Sequence, residues 1–283
     1  MQLPRRTLRD GITLPIIGFG GMVAVGMEPP AVNRLVRECL DCGLNYFDVA
    51  PFYGDGEAEE KVGIALEPVR RKVFLASKTL QRDAAGARSE LECSLRRLRT
   101  DHVDLYQFHA VTTVKEVERI LAEGGAAEAF VKAREEGKVR FLGFSAHSVE
   151  AALALLEQFP VDSVLFPVNP VSYARGNFGP QVLAEARRRG VALIALKSMA
   201  LSPWGKHEEH TWAKCWYKPI ENPDEARMAL RFALSEDVVS AIPPGDERLF
   251  RLALGFAAEI KPLSDDERQN LLAHASKCRP LFK

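Results

Sequence analysis

The chain has 283 residues, 47% hydrophobic and 27% charged, which is enough apolar material for one large core. Lysine and arginine together number 38, matched by 38 aspartates and glutamates. With no net charge and only short arginine runs at 5–6, 70–71 and 187–189, the chain is not expected to bind nucleic acid. No apolar run reaches the length of a bilayer span, and MQLPRRTLRDGITLPI lacks the apolar core of a secretory signal, so a cytoplasmic protein without a membrane partner is expected.

The first element is a hairpin: RTLRDGITL alternates about Asp10-Gly11, a two-residue turn signal. Eight short apolar runs follow, IIGFG (16–20), NYFDV (45–49), VFLAS (73–77), DLYQF (104–108), RFLGF (140–144), SVLFPV (163–168), ALIAL (192–196) and VVSAI (238–242). Helical patterns lie between them. Val32, Leu35, Val36 and Cys39 share one face, as do Leu91, Leu95 and Leu98. PQVLAEARRRG (180–190) opens on proline and ends before Gly190, and NPDEARMALRFAL (222–234) begins with an Asn-x-x-Glu capping box.

Strand and helix alternating eight times predicts parallel strands closed into a (β/α)8 TIM barrel, with one domain over residues 1–283. SDDERQNLLAHAS (264–276), with its own capping box, reads as an extra C-terminal helix. The connection 198–222 is long for a barrel loop and carries Trp204, Trp212, Trp216 and Tyr217, the composition either of a lid over an apolar substrate or of a loop packed on itself. Five cysteines of irregular spacing make no disulfide framework, and the C-x-x-C of Cys39 and Cys42 sits in a helix pattern with no second pair.

In a barrel of this kind, chemistry gathers where the strands end and loops emerge. Asp48 ends the second strand with Tyr53 in its loop, Lys78 ends the third, and His109 ends the fourth. Each alone has an ordinary explanation in packing or solvation. Four such residues on one rim have a chemical one. A carboxylate at the mouth of a buried strand needs a cation, and Lys78 on the adjacent strand supplies it. The same ammonium near Tyr53 favours phenolate, so the phenol pKa is expected to fall from about 10 toward neutrality and make Tyr53 a general acid, with His109 orienting the oxygen it protonates.

DVAPFYGDGEAEE, ASK and LYQFH, in this order, resemble the aldo-keto reductase superfamily, and the resemblance runs over nearly the whole chain, from the hairpin and GFGGM to IPPG. It implies that a nicotinamide reduces the carbonyl of a small-molecule aldehyde or ketone, with Tyr53 as acid, Lys78 and Asp48 tuning it, and His109 orienting. NADPH is the implied cofactor, with NADH possible. The resemblance also implies cofactor contacts from Gly21 and Met22, from Asp48, from Ser145 and Asn169 to the carboxamide, from Lys197, Ser198 and Met199 in ALKSMA, and from Pro243, Gly245 and Arg248 in IPPGDERLF. Two departures stand out. Lys197 occupies the place where many members stack a tyrosine on the nicotinamide, so an electrostatic contact is expected there. The last loop carries Pro244 where a lysine is usual, with Asp246 next to Arg248.

Those departures leave open a second class, a nucleotide-binding sensor or regulatory barrel with little catalysis. A metal-dependent hydrolase using His207, His210 and Asp48 is a third. HEEH is not H-E-x-x-H, and no metal is expected.

Overall fold

A computed structural model of the chain, describing residues 2–282, begins with the expected hairpin. Strands β1 (Arg5–Arg9) and β2 (Ile12–Pro15) pair antiparallel, with Arg9 opposite Ile12. The turn residues Asp10 and Gly11 have φ of 50° and 75°, the double left-handed geometry of a tight two-residue turn. The hairpin caps the N-terminal end of the barrel. Leu8 and Leu14 plug the interior, and Arg6 donates to the carbonyls of Val238 (2.6 Å) and Leu234 (2.8 Å).

The barrel strands are β3 (Phe19–Gly20), β4 (Tyr46–Asp48), β5 (Phe74–Thr79), β6 (Val103–Val111), β7 (Val139–Ala146), β8 (Ser163–Pro167), β9 (Ala192–Leu196) and β12 (Ser240–Ile242). All neighbours are parallel, and the sheet closes between its two ends through a bridge from Ile17 to Ala241. There Gly18 N–H donates to the Ala241 carbonyl at 3.0 Å, and Ala241 N–H to that of Ile16 at 2.8 Å. Of the first apolar run only Phe19 and Gly20 form strand β3, with Ile17 adding the isolated bridge, whereas the fourth and fifth runs extend through His109 and Ser145. A pair of short strands, β10 (Ala200–Ser202) and β11 (Lys218–Pro219), stands outside the barrel.

Inward positions alternate along each strand. Tyr46, Phe74, Ala76, Leu105, Phe141 and Leu165 fill the barrel interior. Outward residues meet the helices: Phe108 stacks on Phe130 of α5 (Ala126–Glu135) at 3.9 Å between ring centres. Burying one such ring contributes about 1.5–3 kcal/mol. Helix α1 (Pro29–Asp41) opens on two prolines and buries the expected Val32, Leu35, Val36 and Cys39. Cys42 beyond its end donates its thiol to the Cys39 carbonyl at 3.1 Å, so the C-x-x-C is helix packing.

The remaining helices are α2 (Glu57–Leu66), α3 (Ala84–Arg97), α4 (Val114–Leu121), α6 (Val149–Gln158), α7 (Pro170–Gly176), α8 (Pro180–Arg189), α9 (Pro223–Leu234), α10 (Glu247–Ala257) and α11 (Asp265–Ala275). The extra C-terminal helix α11 has the capping box read from the sequence, Ser264 with Glu267. At α9, Asn222 accepts from Asp224 N–H and Glu225 N–H, which is half of the expected box. No helix among the described residues is long and apolar enough to cross a membrane.

Candidate active site

Period two carries Asp48 into the barrel. Tyr46 and Asp48 point inward from β4 while Phe47 joins the outer core, so the carboxylate stands over the interior at the strand's C-terminal end. It is 2% exposed, and Lys78 of the adjacent strand is 0% exposed, so water cannot solvate either charge. They form an ion pair, Lys78 Nζ donating to Asp48 Oδ1 and to the Val49 carbonyl (2.8 Å). The other carboxylate oxygen accepts from Gln107 Nε2 at 3.0 Å and from the Tyr46 hydroxyl at 3.3 Å. Burial pulls the Lys78 ammonium down, but Asp48 and Tyr53 outweigh it and hold its pKa above the usual range.

Tyr53 is delivered by the turn after β4. Gly54, Asp55 and Gly56 follow one another at φ of 63°, 52° and 96°, a left-handed run that glycine makes inexpensive. The turn ends in α2, whose first turn is fastened to the barrel by Glu59: its carboxylate accepts from Ser77 on β5 at 2.7 Å, with Arg97 at 3.6 Å. The Lys78 ammonium lies 5.1 Å from the centre of the Tyr53 ring, and His109 approaches that ring edge-on at 5.8 Å. His109 sits where the β6–β7 register shifts; Ala110 has φ of 53°, and its N–H donates to Ser145 Oγ at 2.7 Å. That bulge turns the imidazole into the barrel mouth.

One expectation is reversed. Burial, the largest effect on Tyr53, raises its pKa above the phenol value, and Lys78 only partly opposes it. The phenol is therefore fully protonated at neutral pH. What Lys78 provides is a cation in place for the phenolate that a proton transfer would leave. His109 is held well below the usual imidazole range, first by burial and then by Lys78, and so is neutral.

These groups line a cavity of about 510 Å³ to which every barrel strand or its loop contributes. Its wall is mostly apolar, with Phe52, Leu80, Leu196 and Trp216 among the lining residues. His109 Nδ1 and His147 Nε2, both in that wall, have no hydrogen-bond partner. An apolar cleft with a few convergent polar atoms has the form of a small-molecule site.

Of the residues expected to touch a cofactor, Met22, Asp48, Ser145, Lys197, Pro243 and Gly245 line the cavity. Gly21, Asn169, Ser198, Met199 and Arg248 do not. Gly21 packs on Val49 instead, where a Cβ would come within 2.8 Å of a methyl group. Asn169 is spent on the backbone: its Oδ1 accepts from Val171 and Ser172 N–H, and its Nδ2 donates to the Lys197 (3.1 Å) and Ala200 (2.5 Å) carbonyls. Ser198 and Met199 are buried beneath the same link. Arg248 pairs with Asp246 at 3.1 Å and lies over the Trp212 ring at 4.0 Å, while Asp246 caps α10 through Arg248 N–H.

The connection 198–222 is closed by its own side chains, Trp204 Nε1 donating to the Cys215 carbonyl (3.0 Å) and Trp212 Nε1 to Glu221 (2.8 Å). Lys214 ties it to the Val23 carbonyl at 2.9 Å, and Trp216 turns out over the cavity. His207 and His210 lie outside the cavity wall, His210 stacking on Trp204 at 4.8 Å. Among the described residues no three His, Cys, Asp or Glu side chains are grouped to hold a metal.

Gln107 and Tyr46 escaped the sequence reading although a signal was there: each is an inward position two residues from a named site residue. Lys214, in an irregular loop, gave none.

A family model described as Aldo/keto reductase family matches residues 16–212. The chain belongs to that family. Among curated relatives, the uncharacterized oxidoreductase YqkF of Bacillus subtilis is 23% identical over 92% of both chains. Methylglyoxal reductase YeaE of Escherichia coli is 41% identical over 44% of this chain and 47% of its own. Among solved structures, the holo form of an aldo-keto reductase from Bacillus halodurans aligns over 99% of this chain and 98% of its own, with TM-score 0.77 and 22% identity. An aldo-keto reductase from Klebsiella pneumoniae, solved in complex with NADPH, aligns over 99% of each chain with TM-score 0.70 and 24% identity. These structural likenesses establish the (β/α)8 fold of this aldo/keto reductase.

Proposed function

We propose that the protein is an NAD(P)H-dependent oxidoreductase that reduces an aldehyde or ketone to an alcohol, with Tyr53 as the general acid. The observation that carries this reading is the placement of the Tyr53 ring, its centre 5.1 Å from the buried Lys78 ammonium, and of the His109 imidazole on the wall of one cavity. Met22, Ser145, Pro243 and Gly245 are proposed to hold the nicotinamide end of the dinucleotide, and NADPH is the proposed donor. The chemistry the dinucleotide supplies when bound is a hydride for the carbonyl carbon. The rest falls to this chain.

His109, uncharged, donates a hydrogen bond to the substrate oxygen and orients it without competing for its proton. Tyr53 gives its hydroxyl proton to that oxygen as negative charge develops there. Lys78, kept charged by Asp48, stabilises the phenolate left behind. Gln107 and Tyr46 hold the second oxygen of Asp48, so the carboxylate remains directed at the lysine rather than at the substrate. Phe52, Leu80 and Trp216 form an apolar wall at the mouth of the cavity beside these groups.

The test follows NADPH absorbance with a panel of small aldehydes headed by methylglyoxal, the compound named for the Escherichia coli relative. Tyr53→Phe is expected to lower turnover by about 10²–10⁴-fold, the usual contribution of a positioned acid, while NADPH still quenches protein fluorescence. Full activity in that variant would remove Tyr53 from the role. Nucleotide binding without turnover of any carbonyl would favour the sensor reading.

A further inference from the structure

Lys197 leaves β9 at φ of 61°, and its amine lies 4.7 Å from the centre of the Tyr217 ring and 5.1 Å from that of Trp216. Among the described residues no carboxylate oxygen comes within 4.0 Å of it. Asp48 is the one carboxylate in the described cavity wall, and both its oxygens are taken by Lys78, Gln107 and Tyr46. The two histidines of the cavity wall, the Cys215 thiol and the Tyr217 phenol are uncharged near neutral pH. Burial holds the imidazoles of His109 and His147 down, the latter to about 4, and pushes the Cys215 thiol up to about 11 and the Tyr217 phenol well above its ordinary value. Burial also draws the Lys197 amine down to about 8, which leaves it mostly charged at pH 7. The two aromatic faces compensate part of that charge, but no internal anion does.

The mouth around this cation is apolar: Phe52 is 69% and Trp216 56% exposed, and both line the cavity. Lys214, the other cation of the wall outside the Asp48–Lys78 pair, donates to the Val23 carbonyl, so among the described residues of the wall the Lys197 ammonium alone lacks a hydrogen-bond partner, and an apolar opening with such a cation is complementary to a ligand with an apolar body and a single negative group. A lone ammonium, without an arginine fork or a nest of backbone N–H groups, matches a carboxylate better than a phosphate.

We infer that Lys197 recognises the substrate, and that the carbonyl compound taken by this cavity carries a carboxylate that pairs with the Lys197 ammonium. The inference rests on the reading of the cavity as a carbonyl-reducing site, and it replaces the expectation that Lys197 serves the nicotinamide. It turns an unpaired, half-buried cation from a cost in the free protein into a source of selectivity in the complex.

The experiment compares 4-carboxybenzaldehyde with 4-methylbenzaldehyde, which are close in size and differ in charge. Binding is read by quenching of tryptophan fluorescence, since Trp216 lines the cavity, and turnover by NADPH absorbance. The wild-type protein is expected to bind the carboxylated aldehyde about tenfold more tightly, the size of one charge-assisted hydrogen bond. Lys197→Met abolishes that ratio and Lys197→Arg keeps most of it. Equal affinities in the wild type, or a ratio that survives in Lys197→Met, would overturn the inference. A Lys197→Met variant that binds NADPH less tightly but keeps the ratio would return the residue to the cofactor. If neither aldehyde is turned over, the reductase reading fails, yet the ratio of affinities still decides the role of Lys197.

Discussion

Asp48 and Lys78 are held together by the absence of any alternative. Both are almost unexposed, each lies on a barrel strand, and the pair is further tied by Gln107, Tyr46 and the Val49 carbonyl. Removing one partner strands the other charge in the barrel, so Lys78→Met is expected to cost about 3–5 kcal/mol of stability. The double variant Asp48→Asn with Lys78→Met leaves no unpaired charge at this position and is expected to recover much of that loss without recovering turnover. Urea denaturation beside the NADPH assay separates the two effects. A single variant as stable as the wild type would mean that the pair is solvated after all.

At the scale of elements, the site depends on how the loops after β3 and β12 meet. Gly245, just before α10, packs so closely on the other loop that a Cβ would lie 2.5 Å from Met22 Cβ, an atom fixed to the backbone. Gly245→Ala must therefore separate two loops that both line the cavity. The expectation is an intact far-ultraviolet circular dichroism spectrum with NADPH affinity reduced by about tenfold or more, roughly the 1–3 kcal/mol that overpacking costs. Unchanged affinity in a fluorescence titration would show that these loops do not hold the dinucleotide. The bulge that turns His109 inward and the left-handed run Gly54–Gly56 belong to the same scale, since each bends the chain at a strand end to aim one side chain.

For the whole molecule, the two half-buried imidazoles of the cavity wall set a limit in acid. His147 is held at about 4 by burial and by Lys197, and His109 is held well below the usual range. In the unfolded chain both titrate near 6.5, so below that pH the unfolded state binds more protons and folding stability falls as pH falls. For His147 the loss develops between pH 6.5 and about 4 and reaches roughly 3 kcal/mol at most, less whatever solvent screening the partly open cavity allows. Glu59, whose carboxyl is raised by burial, works in the opposite direction. Comparing the urea midpoints of wild type and His147→Gln at pH 7 and pH 4.5 isolates the histidine. The variant is expected to lose less stability on acidification, and an identical loss in both would remove His147 as the cause.

Much of this architecture is written in local pattern. Alternation of apolar runs with capped amphipathic segments specifies a barrel, Asp10-Gly11 specifies the hairpin, and acid, amine, phenol and imidazole at successive strand ends specify one rim, because strand period and helix caps are properties of a few neighbouring residues. Parity along a strand would also have shown Tyr46 and Gln107 facing Asp48. Other features were settled by contacts between distant segments. Asn169, expected at the carboxamide, has both amide protons on the carbonyls of Lys197 and Ala200, and Arg248, expected at the cofactor, lies over the Trp212 ring. Tyr53 reads as an acidified phenol until its burial is measured against one ammonium. Burial and pairing are sums over whatever the fold brings near, so they could be weighed only once the barrel had closed.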